Sequence, residues 1–171
     1  MAVQFESWPP PVTDHEISAF EANLPAGLPS DYRAFLLQQD GGEPEPNWWP
    51  PETGVDAGVR EFYGLSEDLP SFSRLQAARE VFSDRVPDHL LPIGYDGTGG
   101  QMCVALTGED TGSIWYYDPE FEFDDDDPDP DLLVRVCGSF GELLSTLEPK
   151  PSYEEMRRRV LAAAGSGQAQ G

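Results

Sequence analysis

The middle of the chain constrains the fold most, because residues 90–118 hold three strand-like segments separated by two glycine-rich turns. Residues 101–107 alternate in a period of two, which is typical of a strand with two distinct faces. Short strands joined by short glycine turns predict an antiparallel meander. The alternation sets Met102, Val104 and Leu106 on one face and Cys103 and Ala105 on the other.

Helical patterns surround this meander on both sides. Thr13 and Glu16 have capping-box spacing ahead of an apolar face, and Ser152 and Glu155 repeat that spacing near the end of the chain. Apolar residues recur at helical intervals in several segments, and strand-like segments follow or precede them. These patterns predict helices over 13–24, 30–40, 71–85, 139–147 and from 152 onward, with further strands over 59–65 and 132–136.

This order of elements predicts an α+β fold, in which a twisted antiparallel sheet packs against helices within a single domain. The length of 171 residues suits one domain. We expect an irregular lead-in over residues 1–12, a domain over 13–164 and a disordered tail over 165–171. Within the domain, a Trp/Pro-rich loop over 43–58 and an acidic stretch over 119–131 have the character of insertions.

The net charge limits the classes of partner. Thirty-two acidic residues against ten basic ones give a net charge of −22. This excess disfavours nucleic acid and anionic membranes, which basic surfaces bind. It attracts a basic protein and accelerates its approach, although acidity also serves solubility alone.

The acidic residues are densest between 118 and 131, where nine carboxylates occur without a basic residue. Mutual repulsion predicts an extended, solvated stretch. Phe121 and Phe123 lie among the acids and would anchor the stretch in a partner's pocket. The carboxylates would mimic nucleic-acid phosphates and occupy the basic groove of a nuclease. A purely solvated loop and a calcium site are the alternatives, but EF-hand spacing is missing. The nine are Asp118, Glu120, Glu122, Asp124, Asp125, Asp126, Asp127, Asp129 and Asp131.

Trp48 and Trp49 form a second candidate contact, flanked by Pro46 and Pro50. Tryptophan is enriched both in packed anchors and in binding hot spots. A proline-rich loop is preorganised, which lowers the entropic cost of binding. The sequence leaves both interpretations open, a partner contact and an anchor packed beneath the loop.

The sequence predicts no catalytic residue, cofactor or metal site, and therefore no enzyme. The glycine turn over 94–100 joins two strands and lacks the Gly-Lys-Ser/Thr ending of a phosphate loop, which indicates a hairpin. His15 and His89 have no zinc-ligand spacing, and Cys103 and Cys137 are interpreted as core residues.

The sequence predicts neither a signal peptide at the N-terminus nor a membrane-spanning segment. The N-terminal segment lacks the basic and apolar regions of a signal peptide, and no apolar run approaches the roughly 18 residues that span a bilayer. We therefore expect a cytoplasmic protein.

Four local signatures follow one another along the chain. They are residues 28–37 with Asp40-Gly41-Gly42; Phe62-Tyr63-Gly64-Leu65; residues 91–104; and residues 112–118 with Ser139-Phe140-Gly141-Glu142-Leu143-Leu144. In this order they resemble the SUKH superfamily, which includes the yeast Smi/Knr-type cell-wall regulators. Two departures from the family pattern are Asp40, where Asn is more usual, and Gln101, where an acidic residue or Asn is common.

The resemblance implies an α+β fold with a twisted antiparallel sheet and supplies no catalytic residues. For bacterial members it implies immunity proteins that bind and block toxin domains, many of them nucleases or deaminases. The prediction is thus a non-catalytic immunity protein that neutralises a cationic toxin domain. The alternative is an intracellular regulatory or scaffold protein of the Smi/Knr type that binds an endogenous partner.

Overall fold

The predicted meander forms a five-stranded sheet in which every neighbouring pair is antiparallel and the strands follow chain order. The structure is a computed structural model that describes residues 2–6, 10–119 and 132–166. The strands of this sheet are β3 (Glu61–Phe62), β4 (Leu90–Tyr95), β5 (Gln101–Ala105), β6 (Ile114–Tyr117) and β7 (Leu133–Cys137).

A second, two-stranded sheet pairs β1 (Gln4–Phe5) with β2 (Pro44–Glu45). β1 lies within the stretch expected to be an irregular lead-in, so the N-terminal segment contributes a strand. Strand periodicity cannot be recognised in two residues, and β1 is defined by its pairing with a segment about forty residues away.

In the ranges that the structure describes, five α-helices complete the α+β fold: α1 (Asp14–Glu21), α2 (Ser30–Gln38), α3 (Leu75–Val81), α4 (Phe140–Thr146) and α5 (Tyr153–Ser166). Both predicted capping boxes are present. The Thr13 hydroxyl accepts from the Glu16 amide at 3.3 Å, and the Ser152 hydroxyl accepts from the Glu155 amide at 3.3 Å. α5 extends through Gly165 and Ser166, where the tail was expected to begin.

The middle of the sheet is buried on both faces, and the alternation of β5 is confirmed. Met102, Val104 and Leu106 belong to the large core shared with α1, α2 and α4. Cys103 and Ala105 belong to a smaller core on the opposite face, together with residues such as Val86 that follow α3. Because a strand in the middle of the sheet is covered on both sides, all five residues of β5 are buried.

Residues of three of the four signatures meet in one aromatic cluster of the large core. The Phe140 ring lies 5.0 Å from Tyr32, 4.9 Å from Phe35 and 5.3 Å from Phe62, measured between ring centroids. Asp31 adds a polar link between α2 and α4, because its Oδ2 accepts from the Gly141 amide at 2.9 Å. The signatures therefore specify packing of the fold.

The predicted helix over 71–85 is interrupted, and α3 is shorter than expected. Residues 71–73 form one 3-10 turn, and Arg74 is extended, with φ −101° and ψ 134°. Arg74 forms a parallel bridge with Gly64: the Gly64 amide donates to the Ser73 carbonyl, and the Leu75 amide donates to the Gly64 carbonyl. This pairing with a distant segment replaces helical hydrogen bonds, so the helix begins only at Leu75.

Candidate partner-binding surface

Trp49 packs beneath the loop as an anchor. Its side chain is 1% exposed, and its ring meets that of Tyr116 edge-on, with centroids 5.3 Å apart. The Trp49 amide donates to the carbonyl of Ala57 at 3.1 Å, which closes the loop over the ring. A partner cannot reach this side chain unless the loop moves.

Trp48 is half-buried, and its surroundings differ from those of its neighbour. Its backbone exchanges two hydrogen bonds with Glu148, at 2.9 and 2.8 Å, which join the loop to the segment after α4. The Lys150 ammonium lies 5.4 Å from the centroid of the Trp48 ring, a cation–π contact. Of the two tryptophans, Trp48 is therefore the one whose surface is accessible to a partner.

The acidic stretch begins at the end of β6. Asp118 is half-buried, and its amide donates to the Leu132 carbonyl at 3.3 Å, which joins the two ends of the stretch across the sheet. The remaining predicted contacts lie outside the described residues: Glu120, Phe121, Glu122, Phe123, Asp124, Asp125, Asp126, Asp127, Asp129 and Asp131.

The glycine turn between β4 and β5 is closed on its own carboxylate. Asp96 Oδ1 accepts from the amides of Thr98, Gly99 and Gly100 at 2.7, 3.1 and 3.0 Å, and Asp96 Oδ2 accepts from the Tyr116 hydroxyl at 2.5 Å. In a phosphate loop such amides point at the ligand. Here the Asp96 carboxylate occupies the position that the ligand would take, and the turn is a hairpin.

The two cysteines are buried and unbridged. Burial raises the pKa of the Cys103 thiol well above its ordinary value and raises the pKa of Cys137 to about 11. A thiol is nucleophilic as the thiolate, so both are unreactive at neutral pH. Among the described residues, no group of three His, Cys, Asp or Glu side chains is placed to hold a metal ion.

The structure also contains a groove that the sequence reasoning missed, between α3 and the sheet. Its volume is about 570 Å³, and we call it the Phe72 groove. Phe72 is 70% exposed and Val81 is 63% exposed, although both are large apolar side chains. The described residues that line it are Tyr63, Ser71, Phe72, Ala77, Ala78, Glu80, Val81, Phe82, Tyr95 and Gln101.

Two cross-strand hydrogen bonds hold the aromatic part of this lining. The Tyr63 hydroxyl donates to Gln101 Oε1 at 2.7 Å, and the Tyr95 hydroxyl donates to Glu61 Oε2 at 3.0 Å. Burial, together with the negative charge of Glu61, raises the pKa of Tyr95 to about 12. Both tyrosines are therefore neutral donors at physiological pH.

A sequence signal for the groove exists, but it is weak. Val81 falls outside the apolar repeat of Leu75, Ala78 and Phe82, whereas Phe72 lies three residues before Leu75 and has helical spacing to it. Single exposed apolar residues are common, and only the tertiary structure places these two on one groove.

The fold and these surfaces define a class: a single-domain α+β protein with a five-stranded antiparallel meander, helices on its faces and candidate surfaces for a protein partner. The model of the SMI1/KNR4 family (SUKH-1) matches residues 11–146, most of the chain. The chain therefore belongs to the SMI1/KNR4 (SUKH-1) family, and α5 lies beyond the matched region.

One similar curated protein is the SPbeta prophage-derived uncharacterized protein YokK of Bacillus subtilis (strain 168). It is 29% identical over 157 residues, which cover 81% of this chain and 76% of the relative. In the part of the chain that the structure describes, no helix has both the length and the apolar character needed to cross a membrane.

Proposed function

We propose that this protein is a cytoplasmic, non-catalytic immunity protein that binds and neutralises a cationic toxin domain. The charge imbalance carries the proposal: 32 acidic residues face 10 basic ones, and eight of the acidic residues lie between Asp118 and Leu132. Such a field steers a basic partner toward the protein and accelerates association by roughly 10- to 1,000-fold.

Family membership supports this proposal, because the SUKH resemblance implies immunity proteins among bacterial members. The similar Bacillus subtilis protein is prophage-derived, an origin in keeping with a toxin–immunity pair carried on a mobile element. The absence of a catalytic role is supported by the raised pKa of both thiols and by a glycine turn occupied by Asp96.

The test is to purify the tagged protein from its native cells and to identify the bound proteins by mass spectrometry. We expect one basic partner with a toxin-like domain, retained at about 50 mM salt and released at about 500 mM, where screening shortens the reach of charges. Toxin activity should fall in proportion to added protein and vanish at equal stoichiometry.

Recovery of endogenous enzymes or cell-envelope factors, with no toxin among them, would contradict the proposal. That outcome favours the alternative, a regulatory or scaffold protein of the Smi/Knr type.

A further inference from the structure

We propose that the Phe72 groove receives a large apolar side chain from a partner protein, in a segment that also carries a lysine or arginine next to that side chain. This inference rests on the proposed function and deepens it, because it assigns the contact and the chemistry of the segment that is recognised.

The apolar part of the recognition follows from the rim and walls of the groove. Phe72 and Val81 stand on the rim, 70% and 63% exposed, and Ala77 and Ala78 are further apolar residues of the lining. A binding anchor gains most when an aliphatic or aromatic side chain fills a pocket of this kind. The volume of about 570 Å³ has room for one or two such side chains.

The tyrosine side of the groove is preorganised. Tyr63, which directly follows β3, is fixed by its hydrogen bond to Gln101 on β5, and Tyr95 on β4 is fixed by its hydrogen bond to Glu61 on β3. Side chains that are already ordered lose little rotamer entropy on binding. The groove therefore presents a formed surface.

Charge complementarity specifies the second feature of the segment. Among the described residues that line the groove, Glu80 is charged negatively and none is Lys or Arg. Behind Tyr95, Glu61 is 4% exposed, and its Oε1 has no hydrogen-bond partner among the described residues. The charge of Arg60 also reaches Tyr95, but Arg60 is paired with Glu43 at 3.1 Å, so the carboxylate of Glu61 adds negative potential behind Tyr95 that favours a cation near the groove.

A second cleft beside α3, which shares Glu80 and Phe82 with the groove, does not have this character. It has a similar volume, about 580 Å³, but both Arg79 and Asp88 line it, so the signs are mixed. A second copy of the chain, with its own net charge of −22, would be repelled from the groove. A basic, apolar segment of another protein is thus the occupant that fits.

Nuclear magnetic resonance titration with a defined probe tests the groove without knowledge of the partner. The probe is a blocked tetrapeptide with leucine and phenylalanine between two lysines. We expect saturable shifts of the Ala78 and Tyr95 amides. Two control peptides should bind about tenfold more weakly or worse. One has glutamates in place of the lysines, and the other has glycines in place of the leucine and phenylalanine.

Uncharged substitutions on the rim test the groove, and a substitution on α5 is the matched control. Phe72→Ala and Val81→Ser should each weaken probe binding about tenfold or more, with melting temperatures close to that of the wild type. Val160→Ser changes a residue on α5 that is exposed to a similar degree, 60%, and should leave binding unchanged. Absence of saturable shifts, shifts confined to other surfaces, equal binding of the glutamate peptide, or equal loss in Val160→Ser would each overturn the proposal.

Binding of the natural partner to the wild type and to Phe72→Ala tests the groove and the proposed function separately. A basic toxin that binds the wild type and Phe72→Ala equally would refute the groove and leave the immunity role intact. Saturable binding of the lysine peptide, with no basic partner in the native cells, would support the groove and contradict the immunity role.

Discussion

The carboxylate of Asp40 accepts a hydrogen bond from the backbone amide of Leu65 at 2.6 Å, and a second from the amide of Ser66 at 3.1 Å. Asp40 is fully buried and has a left-handed backbone, with φ 48°. Asp and Asn tolerate this conformation better than most residues. Asp40, which follows α2 in the first signature, is thereby tied to the segment after β3.

Replacement of Asp40 by Asn should change how stability depends on pH. Burial is the largest influence on the Asp40 carboxyl and raises its pKa above the ordinary 3.8, although the two backbone hydrogen bonds lower it. The folded state therefore holds this proton more tightly than the unfolded state, so ionisation of Asp40 lowers the free energy of unfolding as the pH rises above 3.8. Relative to the wild type, Asp40→Asn should therefore gain stability as the pH rises above 3.8.

Urea denaturation at a series of pH values measures this difference. Asp40→Ala is the contrasting variant, because it leaves both amides without an acceptor and should cost roughly 2 kcal/mol or more at every pH. A constant difference between wild type and Asp40→Asn across the range would contradict the prediction.

Replacement of Asp96 by Ala should destabilise the protein by about 2–4 kcal/mol, because three turn amides and the Tyr116 hydroxyl lose their acceptor. Asp110 lies in the next glycine turn, where it is exposed and faces Arg135 at 3.7 Å. Asp110→Ala is the control and should change stability by less than about 0.5 kcal/mol. Thermal unfolding compares the two, and equal effects would show that the Asp96 network contributes little.

Alanine substitutions of the two neighbouring tryptophans should affect different properties, one the stability of the fold and the other the binding of the partner. Trp49→Ala should cost roughly 3–5 kcal/mol, as expected for a large side chain removed from a core. Trp48→Ala should cost clearly less, because that ring is half-buried, and we expect it to weaken binding of the partner. Chemical denaturation and calorimetric titration measure the two effects. Full affinity in Trp48→Ala would remove Trp48 from the proposed contact.

Conversion of Asp124, Asp125, Asp126 and Asp127 to Asn should slow association with a basic partner and flatten the dependence of the association rate on salt. The circular dichroism spectrum and melting temperature should stay close to those of the wild type. Stopped-flow kinetics at several salt concentrations provides the measurement. Unchanged rates would show that the acidic stretch does not steer the partner.

The sequence predicted the elements whose signals are local. The alternation in β5, the capping boxes at Thr13 and Ser152 and the glycine turns are patterns among residues close together in the chain. These patterns reflect the geometry of a single strand, helix end or turn. Their order predicted the α+β meander and, through the resemblance, the family.

The site was less predictable. Trp48 and Trp49 are adjacent and chemically identical, yet one is half-buried and the other is 1% exposed, because Tyr116 packs against the second ring. Phe72 and Val81 line the same groove, although nothing in their spacing links them to Tyr63 and Tyr95 on the sheet.

The sequence by itself therefore determined the class of fold, the family and the sign of the charge. The tertiary structure decided where the helix after β3 begins, which tryptophan is accessible and where an apolar groove opens. Gly64 meets Arg74 and Phe140 meets Phe62 only after distant segments pack together. Such contacts depend on the relative placement of whole elements, and no pattern within one element encodes that placement.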